Sequence, residues 1–216
     1  EDYLQSQWSI NLRKLPHGGI RYGLRLSTKG KVLADSYILR LGDEEFLLLS
    51  KDCEGDHIIS LLNENIVADE VEFINETQNW EIISFWNEGK NSDLHIENIA
   101  KPEKNQFTTM EDGFYFEDFR VFPGAFIILL SIQSKWKMDA DFISKKKNVF
   151  EELRIRAGEV SIPCEIGSDD LPQEGKLEKI AVDFDKGCYL GQEVMARIHA
   201  MGRVRRQARP VSWAST

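Results

Sequence analysis

The stretch Lys186-Gly187-Cys188-Tyr189-Leu190-Gly191-Gln192-Glu193 concentrates the residues that could do chemistry. Beyond Glu193 apolar residues recur at Val194, Ile198 and Met201, a four-then-three spacing that predicts one face of an amphipathic helix. Gly202 stands where a left-handed C-cap would end that helix, and Arg203, Arg205 and Arg206 follow where cations favour a helix carboxyl end. Cys188 therefore lies in a loop leading into a helix amino terminus, two residues from Lys186. Both neighbours favour a thiolate, which makes this cysteine a candidate nucleophile or transient ligand. The other reading of a free cysteine is a small buried apolar side chain.

Other residues carry weaker signals. Arg197, Arg203, Arg205, Arg206 and Arg209 fall close together with no acid among them, a patch that reads either as an anion site or as a solvated helix end. His17, His57 and His95 lack spaced partners and read as turn or surface residues. Cys53 follows Lys51-Asp52 at a helix start without a motif and reads as structural. Three widely spaced cysteines form neither a disulfide framework nor a zinc or permanent cluster site, so no metal site is expected, and they fit a reducing cytoplasm. A net charge of −9 argues against stable nucleic-acid binding over the whole surface. The longest apolar run, Ala125 to Leu130, is too short to span a bilayer.

The elements that would position these groups follow from periodicity. Leu4, Trp8, Leu12 and Leu15 predict a helix over 1–15, broken by Pro16-His17-Gly18-Gly19. Strands are predicted over Ile20–Ser27, Lys31–Leu41 and Glu45–Ser50, a helix over Asp52–Asn65 and a strand over Asp69–Asn75. Further strands are expected at Trp80–Trp86 and Ala125–Ile132, a helix at Asp141–Ala157, and a short strand at Asp183–Asp185 that delivers Lys186. Polar residues 87–104 read as a junction. The order predicts an α+β fold of two antiparallel-sheet sub-modules, ferredoxin-like, with helices on one face.

The octapeptide resembles the K-G-C-[YF]-x-G-Q-E signature of the YgfZ family, folate-binding proteins that support iron–sulfur enzymes and are related to the T-protein (aminomethyltransferase) of the glycine cleavage system. Arg154-Ile155-Arg156-Ala157-Gly158 and Leu171-Pro172-Gln173-Glu174-Gly175 resemble two further blocks of that family, in the right order, and Thr28 to Asp35 resembles its hairpin. The resemblance implies a T-protein-like folate-binding domain over 1–202, with sub-modules of about 1–86 and 87–202, and a stub of a C-terminal β-barrel over 203–216. It implies a reactive Cys188, with Lys186 favouring its thiolate and Gly187 and Gly191 shaping the loop. Gln192 and Glu193 would fix the helix start. Asp35, Arg154, Glu174, Tyr189 and Arg197 would join these loop residues in contacting tetrahydrofolate or a one-carbon derivative.

The sequence also departs from the T-protein. Its paired aspartates read Ala34-Asp35 here, and Val121-Phe122-Pro123-Gly124 lacks the pterin-contacting acid. Asp35 itself reads as a surface turn carboxylate or as a ligand contact. Loss of those acids argues against one-carbon transfer. The expected role is a cytoplasmic accessory factor for iron–sulfur cluster assembly or repair in client enzymes, including tRNA-modifying ones. The alternatives are a folate-dependent transferase or demethylase and a non-catalytic interaction module.

Overall fold

The computed structural model describes residues 1–86, 99–118, 120, 124–136, 147–202 and 204–211. Expectations that fall on 87–98, 121–123, 141–146, Arg203 and 212–216 lie outside them. The chain forms two compact units. The first comprises Glu1–Gln78 with Ser161–Ala208, and the second Asn79–Val160 with Arg209–Thr216. The division therefore falls after Gln78 and again after Val160, because the cysteine-loop segment returns to the unit built by the amino-terminal residues.

In the first unit, β1 (Ile20–Leu26), β2 (Val32–Arg40) and β3 (Phe46–Leu49) form an antiparallel sheet in chain order. Helix α2 (Gly55–Asn63) buries Ile58, Leu61 and Leu62. These side chains pack with Tyr3, Leu4, Trp8, Ala34 and Ile38 in one apolar core. Arg25 is buried beside them and donates to Leu26 O and Leu61 O, so its cation meets carbonyls near the negative end of α2.

The single amino-terminal helix expected over 1–15 is broken. Helix α1 covers Asp2–Gln7, Trp8 turns extended and bridges Arg25, and a 3₁₀ turn follows at Leu12–Lys14. Leu4, Trp8, Leu12 and Leu15 are nevertheless all buried, so the periodicity located the core residues but not the backbone path. Pairing with β1, through the Ser9 N–H to Leu24 O bond of 3.0 Å, overrides helix continuation.

The strand expected at Asp69–Asn75 is absent. Val71 and Phe73 do alternate inward against the core, Phe73 with its ring centroid 6.0 Å from that of Tyr3, but the backbone joins no ladder. Asp183–Asp185 is a turn rather than a strand, closed by the Asp185 N–H donating to Asp183 Oδ1. A short helix, α4 (Glu178–Ala181), precedes it, and α5 (Gln192–Met201) follows the cysteine loop.

The second unit holds a four-stranded antiparallel sheet. Its strands β4 (Trp80–Trp86), β5 (Phe107–Met110), β6 (Gly113–Glu117) and β7 (Ala125–Ser131) lie in the order β4-β7-β6-β5. Phe85, Tyr115, Phe126, Ile128 and Leu130 form its core. The β5–β6 hairpin turns at Glu111-Asp112 ahead of Gly113, an Asp-Gly turn signal. Helix α3 (Lys147–Ala157) ends at Gly158, which takes a left-handed φ of 76°. The architecture is α+β with two antiparallel sheets.

Candidate functional site

The break in the amino-terminal helix creates the anchor for the cysteine loop. Ending α1 leaves backbone carbonyls without intrahelical donors. Lys186 Nζ occupies the gap and donates to Gln5 O, Trp8 O and Ile10 O at 2.6, 2.6 and 2.7 Å. The lysine is buried, and its ammonium lies 5.1 Å from the centroid of the Tyr189 ring, within range of a cation–π contact. Burial pushes its pKa down to about 8, so most of it stays charged at neutral pH. This geometry adds a role to the one read from the sequence: the cation two residues from the thiol fastens the loop to the end of α1.

The remaining loop contacts are equally local. Leu190 N–H donates to Ser6 O, and Gln192 Nε2 donates back to Lys186 O at 3.2 Å, closing the loop on itself. Tyr189 is buried, and burial followed by the nearby Asp183 charge raises its phenol to about 12. Gly191 adopts φ 82° and packs directly on the β1–β2 hairpin. A Cβ built there would lie 2.6 Å from Ser27 O and 3.0 Å from Gly30 Cα. Gly30, with φ 71°, receives Val194 in the same way, 3.0 Å from a Cβ at that position. Two glycines far apart in sequence thus let the hairpin tip and the start of α5 touch.

Between the buried Lys186 and Tyr189, Gly187 and Cys188 are exposed, and a Cβ on Gly187 would meet nothing within 4 Å. The loop therefore holds its flanks and presents its thiol. Helix α5 begins at Gln192, its N-cap Gly191 lying three residues after Cys188, and the left-handed Gly202 (φ 68°) ends it as expected. Its buried face is Met195 and Ile198, rather than Val194 and Met201. Val194 packs on the hairpin and Met201 is 61% exposed. Glu193 lies exposed in the first turn, where a carboxylate suits the positive helix end, and Arg197 is exposed one turn on.

Asp35 is not a surface turn residue. It is 3% exposed on β2, where Tyr22 Oη donates to Oδ2 at 2.7 Å and Ser50 Oγ to Oδ1 at 2.9 Å. Cys53 Sγ lies 3.5 Å from the same Oδ1 and 3.4 Å from Ile162 O. Burial, reinforced by the Asp35 charge, raises the Cys53 thiol to about 11. Three neutral donors thus surround this buried side chain.

Glu174 caps a 3₁₀ turn over Pro172–Gly175, accepting from Leu171 N–H at 2.8 Å, and pairs with Arg206 Nε at 3.0 Å. Burial alone would raise its pKa, but the Leu171 amide and Arg206 outweigh it and hold the carboxyl below its usual range. Arg206 also reaches Asp170, and Ala208 N–H donates to Glu174 O, so this part of the arginine patch straps the chain down. Arg154 belongs to the second unit, where its guanidinium meets Glu151 and Glu159 O, next to a buried Arg120–Glu159 ion pair.

The structure thus unites Lys186, Gly187, Cys188, Tyr189, Gly191 and Gln192 in one loop, while Asp35 and Glu174 occupy separate networks. The residues that sequence reasoning missed are backbone partners, Gln5, Ser6, Trp8 and Ile10, together with Ser27, Gly30 and Tyr22, whose roles carry no side-chain motif. Among the described residues no cluster of His, Cys, Asp or Glu could hold a metal ion, and no helix is long and apolar enough to cross a membrane.

With this geometry in hand, known proteins narrow the context. No protein-family profile matches the chain. It is 27% identical over 213 residues, 95% of its length, to an uncharacterized protein of Haemophilus influenzae, covering 65% of that protein. Two shorter matches are iron-sulfur cluster assembly factor IBA57 homologs, both mitochondrial. The Eremothecium gossypii homolog is 39% identical over 66 residues, 31% of this chain and 13% of that one. The Mycosarcoma maydis homolog is 47% identical over 47 residues, covering 21% and 12%. Among solved structures, the glycine cleavage system aminomethyltransferase T from Bartonella henselae superposes with a TM-score of 0.62 at 14% identity, over 93% of this chain and 58% of that one. The chain has the T-protein-like fold. It spans less than two thirds of the length of each of these proteins. The two IBA57 matches cover no more than 31% of this chain.

Proposed function

We propose that this chain is a folate-linked accessory factor for iron–sulfur cluster assembly or repair, with Cys188 as the thiol through which it engages cluster or client. The observation that carries the reading is the presentation of Cys188, an exposed thiol on a loop whose flanks are pinned by Lys186, Tyr189 and Gly191. A thiol held this way can ligate an iron or attack a thiol-reactive centre with little loss of loop entropy. The IBA57 matches supply the assembly context, and the fold supplies the folate context. The client class includes tRNA-modifying enzymes. Cytoplasmic placement rests on cysteine usage, whereas the IBA57 relatives are mitochondrial.

Three of the residues expected at the folate already have partners within the first unit. Asp35 is enclosed by Tyr22, Ser50 and Cys53, Glu174 by Leu171 and Arg206, and Lys186 by three carbonyls. These groups support the backbone, and no step is assigned through the folate. Titration of the chain with tetrahydrofolate, followed by tryptophan fluorescence beside Cys188→Ala, tests the ligand. Saturable binding of equal strength in both proteins is expected. A folded chain that does not bind would remove the folate from the proposal.

A further inference from the structure

The first unit carries an open groove of about 500 Å³ whose lining includes Asp183, Phe184 and Asp185, the residues just before the cysteine loop. Its cations come from three elements: Lys14 from the 3₁₀ turn, Arg21 from β1 and Lys179 from α4. Among the described residues none of the three side chains makes a hydrogen bond or ion pair. In a chain where acids outnumber lysines and arginines 36 to 27, three unpaired cations converging on one concavity depart from the average surface. The groove also holds an aromatic pair, Phe184 and His199, stacked with centroids 3.9 Å apart and planes at 24°, with the His199 ring exposed. Two carboxylates, Asp183 and Asp185, complete the lining.

Each group asks something different of a ligand. The cations suit a multiply charged anion, the ring pair suits a flat heteroaromatic face, and the carboxylates need donors such as sugar hydroxyls. An inorganic polyanion would leave the carboxylates repelled and the rings unused. We propose that this groove binds a nucleoside diphosphate or triphosphate, with phosphates toward Lys14, Arg21 and Lys179, the base on the His199–Phe184 stack and the ribose toward Asp183 and Asp185. Asp183–Asp185 runs directly into Lys186, so an occupied groove lies on the chain segment that carries Cys188. The inference stands apart from the folate reading and uses none of its residues.

Titration of the chain with an N-methylanthraniloyl-labelled ADP, read by anisotropy, tests it. Saturable binding displaced by unlabelled ADP is expected, with adenosine and inorganic pyrophosphate each at least about tenfold weaker as competitors. Arg21→Gln combined with Lys179→Gln should weaken binding at least about tenfold, and His199→Ala by a smaller factor, with unchanged melting curves because Lys179 and His199 are exposed and the half-buried Arg21 side chain makes no hydrogen bond or ion pair among the described residues. Lys29→Gln, on the hairpin tip, should bind as the parent does. No saturable binding by the folded parent would overturn the proposal, as would undiminished binding by the double variant. So would pyrophosphate competing as well as ADP, which would make the groove a bare anion site.

Discussion

Cys188 and Cys53 occupy the same unit and set the same residue type in opposite surroundings. Cys188 stands exposed at the tip of a loop whose neighbours are fixed by backbone contacts. Cys53 is half-buried against Asp35 and Ile162 O, with its thiol raised to about 11. Access favours Cys188, and that difference does not arise from the residues immediately beside the cysteines. The contrast comes from what the rest of the fold does with its carbonyls and its carboxylate. In one place a broken helix offers carbonyls that hold a loop out, and in the other burial, reinforced by a nearby acid, keeps a thiol protonated.

The largest effect should come from removing the fastening. Lys186→Met leaves three buried carbonyls without a donor, and melting should report a loss of roughly 3 kcal/mol. Next come the loop glycines. Gly191→Ala forces a Cβ against Ser27 O at a left-handed φ and should cost about 2 kcal/mol while shifting the loop off the hairpin. Gly187→Ala meets nothing and should stay within about 0.5 kcal/mol, so equal effects at the two positions would break the account of how the loop is held.

The thiols themselves sharpen the comparison. At pH 8, alkylation followed by peptide mass spectrometry should label Cys188 well before Cys53. Asp35→Asn should speed Cys53 modestly, because it removes the second cause of the raised pKa and leaves burial in place. The smallest effect concerns the strap. Glu174 has a folded pKa below its ordinary value of 4.5, so its contribution is present above that value and is lost as pH falls through the lower folded one. Acid melting curves should show that dependence reduced in Glu174→Gln.

Much of this was legible in the sequence where side chains decide. The sheet strands of the first unit, the core positions Leu4, Trp8, Leu12 and Leu15, the helix after the cysteine loop and its Gly202 cap all follow from period and capping chemistry. What was not legible is what backbone groups decide. Nothing in the spacing of Leu4 and Trp8 announces that the helix stops between them to pair with β1. The burial of Lys186 depends on that stop, so its fastening role was hidden even though the residue itself was singled out. Asp35 likewise closes the hairpin-like stretch from Thr28, and only the distant Ser50 and Cys53, brought alongside by β3 and the turn after it, show that it is interior. The same distance hid the meeting of Gly30 and Gly191.

The central claim is that Cys188 is the working thiol because the fold presents it. Its most direct test is maturation of a purified iron–sulfur client enzyme by the chain, read as recovered client activity, with Cys188→Ser compared against Cys164→Ser. Cys164 is also free and exposed, on a turn that Ser161 O closes by accepting from Glu165 N–H and Ile166 N–H, so it controls for an exposed thiol outside the cysteine loop. The account predicts that Cys188→Ser falls at least about tenfold while Cys164→Ser and Cys53→Ser match the parent. Maturation by Cys188→Ser at the parental rate would contradict it.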